Sequence, residues 1–260
     1  MTAAVITGAS TGLGAEFTRQ LVREFPDIEE FWLIARRVGK LEELAQQFPE
    51  KKFVCIGLNL LDPKSFRYLG EKLAEQKADV RVLVNNAGFG VYGSFCDAPL
   101  ETQLNLVDLN VRAAQTLMFL FLRDFRARGN GRVLNVSSVA GFFAGPKMAA
   151  YYASKNYLTR LSEAVAEELR RERSPVSISV LCPGPVKTGF NARAGVKFNL
   201  RSADARATAV AAVEGMFAGK RLIVPAFGYR ALVFLSRFLP RGLVTRIVFS
   251  LQAKKGAARG

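Results

Sequence analysis

Tyr151 and Lys155 stand four residues apart at the start of a segment that reads as a helix, and Ser138 lies thirteen residues upstream of the tyrosine. Four residues make about one helical turn, so the phenol and the ammonium share one face. A free tyrosine titrates near pH ~10 and carries protons poorly at neutrality. A neighbouring ammonium favours the phenolate and lowers that value. The pair can therefore protonate a carbonyl oxygen or take a proton from an alcohol. The chain contains no histidine, so proton chemistry must run through Tyr, Lys, Asp, Glu or Cys. The same absence removes Ser-His-Asp and Cys-His nucleophile systems, HExxH zinc sites and Cys/His zinc fingers. Cys55, Cys96 and Cys182 are widely separated, form no CxxC pair and lie among apolar residues. They are expected to be buried structural thiols, and no metal site is expected.

A second chemical feature lies at the other end of the chain. An apolar run leads into Thr7-Gly8-Ala9-Ser10-Thr11-Gly12-Leu13-Gly14 and then into an amphipathic helix. Glycines in such a turn let backbone N–H groups approach a pyrophosphate at the positive end of the helix. The spacing is GxxxGxG rather than GxGxxG, and its position after the first strand of a βαβ unit favours dinucleotide binding. The second strand ends in Ala35-Arg36-Arg37, where an NAD site usually carries an acid for the ribose 2′-hydroxyl. Guanidinium groups instead suit a 2′-phosphate. The cofactor expected is NADP(H), held by Arg36 and Arg37 with Ser10 or Thr11 as hydroxyl donors.

The elements that must position these groups alternate along the chain. Strands are expected at Ala3–Thr7, Glu30–Ala35, Lys52–Leu58, Arg81–Asn85, Gly131–Ser137, Val176–Cys182 and Arg221–Val224. Helices are expected near 13–25, 40–48, 63–77, 99–128, 150–173 and 202–217. Such alternation predicts an α/β, doubly wound Rossmann fold: a seven-stranded, mostly parallel sheet with helices on both faces and a ligand crevice at the strands' carboxyl ends. Residues 1–225 are expected to form the cofactor-binding and catalytic domain, and 226–260 a basic C-terminal helical extension of it.

Asn85-Asn86-Ala87-Gly88 follows the fourth strand, Asn110 lies in the long helix after it, and Ser138 closes the fifth strand. Together with Thr7–Gly14, Tyr151-xxx-Lys155 and Pro183-Gly184-Pro185-Val186-Lys187-Thr188, this set resembles the short-chain dehydrogenase/reductase family in its single-domain form. The resemblance runs from residue 1 to about residue 225. It implies hydride transfer between a nicotinamide and a carbonyl/alcohol pair. Tyr151 would be the acid/base and Ser138 would hold the substrate oxygen. Lys155 would lower the tyrosine pKa and bind ribose hydroxyls, and Asn110 would anchor a water in a proton relay. Asn86, Ala87 and Gly88 would pack on the adenosine-ribose side, and Pro183, Gly184, Val186 and Thr188 against the nicotinamide and its phosphate. The glycine loop from Gly8 to Gly14, Leu13 included, would bind the cofactor, with Asn59 and Leu60 near the adenine. Asn59 departs from the aspartate common at that place. Tyr152, three residues from Lys155, does not complete the motif and is expected to pack or to wall the pocket. Dimers or tetramers through the helices near 99–128 and 150–173 are expected from the same resemblance.

Phe89, Tyr92, Phe142, Phe143, Phe190 and Phe198 cluster on loops after strands four to six, which points to a bulky apolar substrate, steroid-like or derived from a long acyl chain. The loop at about 187–201 reads as a lid. The net charge of +15 is uneven: residues 219–260 hold nine Lys or Arg and no acid, while the other 218 residues hold 28 basic and 22 acidic groups. A nucleic-acid partner is therefore not expected. Between Phe227 and Ala253, two short helices are expected around Pro240-Arg241-Gly242, with Arg230, Arg237, Arg241 and Arg246 among Leu, Phe, Ile and Val. Such a segment either packs on its own domain or a partner, or lies on an anionic membrane. The opening residues lack the pattern of a signal peptide and no long apolar run appears, so the expected location is cytoplasmic, with peripheral membrane contact through 227–253 as the alternative. A catalytically silent NADPH-binding regulator or scaffold is the competing reading of the whole, and the complete Asn110/Ser138/Tyr151/Lys155 set argues against it.

Overall fold

The computed structural model describes residues 1–190 and 202–256. Among these, seven strands form one sheet: β1 (Thr2–Thr7), β2 (Glu30–Ala35), β3 (Lys52–Gly57), β4 (Asp79–Asn85), β5 (Arg132–Val136), β6 (Ser177–Leu181) and β7 (Leu222–Ile223). Their order is β3-β2-β1-β4-β5-β6-β7 and every neighbouring pair is parallel. The intervening helices are α1 (Leu13–Glu24), α2 (Val38–Ala45), α3 (Lys64–Glu75), α4 (Leu100–Val107), α5 (Ala114–Arg128), α6 (Ala149–Arg171) and α7 (Ala205–Phe217). The fold is the expected Rossmann-like one.

A strand covered on both faces must be apolar at successive positions, because its side chains alternate between two cores. In β1, Ala4 and Ile6 join Phe17 and Leu21 of α1 and Met216 of α7 on one face. Ala3 and Val5 join Leu117 and Phe125 of α5 and Leu169 of α6 on the other. Burying a side chain such as Phe17 or Leu21, both fully inaccessible, contributes roughly 1.5–3 kcal/mol. The chain winds outward from β1 to β3 and then returns to place β4 against β1. Connections leave β1 and β4 in opposite directions, so a crevice opens at their carboxyl ends.

The helix expected over 99–128 is interrupted. Between α4 and α5, Asp108–Ala113 forms a π-helical turn, and Asn110 sits inside it, 1% exposed. An i→i+5 turn shifts the helical register locally and re-aims the side chains within it. α5 then ends at Gly129, whose φ of 66° supplies the left-handed residue that stops a helix.

The tail forms α8 (Phe227–Leu235), a 3₁₀ turn at Ser236–Phe238, and α9 (Arg241–Gly256), which begins directly after Pro240. α8 packs on a 3₁₀ turn at Val139–Phe142 that follows β5. Phe198 and most of the expected lid at 187–201 lie outside the described residues. The described ends of that segment are tied by a parallel bridge between Val186 and Ala203, with Lys187 N donating to Ala203 O at 3.0 Å.

Candidate active site

The β1–α1 turn is shaped by contacts that only glycine tolerates. A Cβ on Gly14 would collide with the Gly8 carbonyl oxygen and lie 2.7 Å from Asn86 Nδ2. Gly8 itself has a φ of +65°, a left-handed conformation strained for side-chain-bearing residues. Asn86 holds this turn from the β4 side: its Nδ2 donates to Thr7 O (2.9 Å) and Gly8 O (3.1 Å). Thr7 Oγ1 in turn accepts from the backbone N–H groups of Asn86 (3.0 Å) and Ala87 (3.1 Å). The side chain of Asn86 is thus a stitch between the two loops of the crevice. Among the described residues no side chain caps the N-terminus of α1 at Gly12, which leaves its first amides for an anion.

Next to it, Asn59 Oδ1 accepts from Leu61 N at 3.3 Å, which folds the chain after β3 into a local turn beneath the crevice. Arg36 and Arg37, at the end of β2, are both exposed. Neither is ion-paired to any described residue.

At the β5 and α6 side, Ser138 caps the 3₁₀ turn, its Oγ accepting from Ala140 N at 3.1 Å. Its hydroxyl also donates to Pro183 O at 3.4 Å, and Ser138 acts on the nearby Tyr151 phenol in the direction that favours the phenolate. Lys155 is buried and its Nζ donates to Val136 O at 2.8 Å, 5.9 Å from the centre of the Tyr151 ring. Burial drains the ammonium and brings its pKa down to about 8. The expected depression of the phenol does not appear: burial pushes the Tyr151 pKa up, and Ser138 only partly opposes it. Desolvation of the phenolate dominates, and Lys155, with its pKa brought down to about 8, loses its charge before the phenol titrates.

Asn110 is fully engaged. Its Oδ1 accepts from Phe89 N (3.1 Å), and its Nδ2 donates to Phe89 O (2.9 Å) and Ser154 Oγ (3.0 Å). The π turn thus uses the carboxamide to clamp the loop after Gly88 against α6. Asn85 anchors the same region from below, donating to Asn135 Oδ1 (3.0 Å) and Ala114 O (3.0 Å).

One cavity of about 1,210 Å³ spans these groups. It is lined by Gly8, Ser10, Thr11, Gly12, Leu13, Arg36, Arg37, Asn59, Leu60, Asn86, Ala87, Gly88, Ser138, Tyr151, Lys155, Pro183, Gly184, Val186 and Thr188. Of the residues singled out in the sequence, Gly14 and Asn110 stand behind it and shape it. Among the described residues, the lining includes three cations (Arg36, Arg37 and Lys155) and no carboxylate. That charge pattern fits a polyanionic ligand such as a dinucleotide phosphate, as does the glycine cradle at Gly14.

Phe89, Phe143 and Phe190 line the cavity, whereas Tyr92 and Phe142 do not. Tyr92 packs with Met148, Tyr151, Tyr152 and Phe190, and Phe142 with Val180, Cys182 and Tyr229. Tyr152 lies edge-on to Tyr151, ring centres 6.2 Å apart, and its hydroxyl accepts from Gln252 Nε2. Gln252 O accepts from the Tyr92 hydroxyl at 3.0 Å. This tail contact was not foreseen. Tyr229, Leu232, Leu235, Leu239, Ile247, Leu251 and Gln252 complete the cavity wall, and the Tyr229 ring packs so closely on Gly184 that a Cβ there would overlap it. Of the cysteines, only Cys182 is buried; burial pushes its thiol up to about 11, whereas Cys55 is half-buried and Cys96 exposed.

A family profile described as short chain dehydrogenase matches residues 2–198. A very-long-chain 3-oxoacyl-CoA reductase of Laccaria bicolor is 33% identical over 180 residues, 66% of this chain and 52% of that protein, so the chain spans about half the length of that relative. An uncharacterized oxidoreductase of Mycobacterium tuberculosis is 29% identical over 248 residues, covering 93% of this chain and 95% of its own. Among solved structures, a short-chain dehydrogenase from Sphingobium yanoikuyae in complex with NADPH superposes with a TM-score of 0.80 at 25% identity, over 92% of this chain and 94% of that one.

Proposed function

This chain belongs to the short chain dehydrogenase family, and from that premise we propose that it is an NADP(H)-dependent oxidoreductase interconverting a hydrophobic carbonyl compound and its alcohol. The observation that carries the reading is a single cavity with two chemistries. One end has a glycine turn, Arg36, Arg37 and, among the described residues, no carboxylate; the other sets Ser138, Tyr151 and Lys155 against an apolar wall. A bound nicotinamide supplies or accepts the hydride.

The chain's own residues handle the oxygen and its proton. Ser138 donates to the substrate oxygen while Tyr151 protonates it. Burial keeps the phenol protonated at neutral pH, the state a proton donor needs. Once the proton has left, the Lys155 charge stabilises the phenolate; with a pKa of about 8, the ammonium remains mostly charged at neutrality. Lys155 spends one donor on Val136 O, and its two others would be available to the cofactor ribose hydroxyls. Arg36 and Arg37 take the 2′-phosphate through charge-assisted bonds.

For the substrate we favour a steroid-like or long-chain acyl-derived carbonyl. Support comes from the aromatic and aliphatic wall of Phe143, Phe190, Leu232, Leu239 and Val248, and from the activity named for the Laccaria bicolor relative. A homodimer or homotetramer is supported by exposed apolar side chains on α4, α5 and α6, among them Leu104 (55%), Phe119 (59%) and Tyr157 (42%). A reducing, cytoplasmic compartment accords with three cysteines outside any disulfide.

The deciding experiment is oxidation of NADPH, followed by absorbance, with a panel of apolar ketones and 3-oxoacyl thioesters. Turnover of at least one is expected. NADPH binding without turnover of any would instead support a silent regulator.

A further inference from the structure

The tail helices present an apolar surface that no other described residues cover. α8 carries Phe227, Tyr229, Leu232, Val233, Phe234 and Leu235 around nearly its whole circumference, a pattern proper to a buried helix. Yet only Val233 is buried. Phe227 is 78% exposed, Phe234 56% and Phe238 71%, and Leu243 and Phe249 extend the surface onto α9.

Two further observations say what covers it. Arg230, Arg237, Arg241 and Arg246 are exposed around these side chains, and no acid occurs from residue 219 to residue 260. None of the four arginines is ion-paired to a described residue. A second copy docked by two-fold symmetry would set this patch against itself, cations against cations. An anionic bilayer offers complementary charge to the arginines and hydrocarbon to the rings. In addition, Leu232, Leu235, Leu239, Ile247 and Leu251 are each at least 43% exposed and also line the cavity. The cavity therefore opens within the apolar patch.

The geometry points to a membrane-docked portal: α8 and α9 seat on an anionic lipid surface, and apolar substrate passes from the bilayer into the cavity between them. The passage of substrate rests on the carbonyl–alcohol reading above; the docking does not.

The test is cosedimentation of the purified full chain with vesicles of phosphatidylcholine alone and of phosphatidylcholine mixed with phosphatidylserine, at low and high salt. Two double variants avoid the cavity lining: Phe234→Ser with Phe238→Ser, and Arg237→Glu with Arg241→Glu. Turnover of a water-soluble ketone and the thermal midpoint verify that each is folded. The native chain is expected to bind mixed vesicles at least about tenfold more tightly than neutral ones, less so at high salt, and each folded variant to lose about tenfold or more. Failure of the native chain to bind mixed vesicles overturns the proposal. So does a native oligomer that both variants dissociate while vesicle binding is unchanged, which would assign the patch to a second copy. Vesicle binding without turnover of any ketone would remove the carbonyl–alcohol reading and leave the docking standing.

Discussion

The side-chain amide of Gln252 donates to the hydroxyl of Tyr152, one residue along the chain from the candidate acid/base Tyr151. Adjacent tyrosines on α6 therefore face different tasks. Tyr151 lines the cavity together with Ser138, and Tyr152 spends its hydroxyl on the tail.

Replacing each tyrosine by phenylalanine separates these tasks. Tyr151→Phe is expected to lower kcat by about 10²–10⁴-fold while NADPH affinity, read by fluorescence titration, changes little. Tyr152→Phe is expected to keep most of kcat and to lose about 1 kcal/mol of local stability, seen as faster amide exchange in α9. Full activity in Tyr151→Phe would remove the phenol from the mechanism.

The two arginines after β2 should discriminate between cofactors. Arg36→Ala and Arg37→Ala each forfeit a charge-assisted bond worth about 1.5–3 kcal/mol, so KM for NADPH is expected to rise by one to two orders of magnitude. KM for NADH should hardly move, since it presents no 2′-phosphate. Equal rises for both cofactors would contradict the assignment.

Gly14→Ala tests the loop. Its Cβ would overlap the Gly8 carbonyl and crowd Asn86 Nδ2, contacts fixed from both sides by backbone. Overpacking of this kind costs about 1–3 kcal/mol, and the displaced turn should weaken cofactor binding. Urea denaturation and cofactor titration of the variant would read the two effects, and an unchanged affinity would show that the turn does not touch the cofactor.

Lys155 couples the site to pH. Its pKa falls from 10.5 to about 8 in the folded chain, so the unfolded chain holds this proton more tightly. The resulting penalty is full below pH ~8 and fades as pH rises towards ~10.5. Lys155→Met removes the titration. The stability difference, variant minus native, is expected to shrink by about 2 kcal/mol between pH ~7 and ~9.5, measured by urea denaturation at each pH. A difference independent of pH would mean the ammonium is not drained by burial.

Sheet and cavity were legible in the sequence where local pattern decides them. β2 runs from Glu30 to Ala35 as expected, because an apolar run between polar stretches bounds it; β7 shrinks to Leu222–Ile223, since it is an edge strand with one neighbour. The residues of the glycine turn, the Asn86–Gly88 loop, Ser138, Tyr151 and Lys155 converge because each closes or follows a strand of one parallel sheet. What stayed hidden depends on tertiary partners. Nothing around Asn110 signals a π turn or the commitment of its carboxamide to Phe89 and Ser154. The direction of the Tyr151 shift was misread for the same reason: adjacency to Lys155 is written in the spacing, but how deeply both are buried is not. Gln252 belongs to no motif, and only the folded chain brings it to a tyrosine 100 positions away.

The groups proposed to move the proton all precede residue 190, while a large part of the apolar wall comes from the stretch 227–253. In the proposed reading the chemistry and much of the substrate wall therefore occupy separate lengths of chain, joined where Tyr229 packs on Gly184 and Gln252 meets Tyr152. Descendants or engineered chimaeras that exchange this stretch, keeping those two joints, would inherit the same reaction and apply it to a different set of molecules.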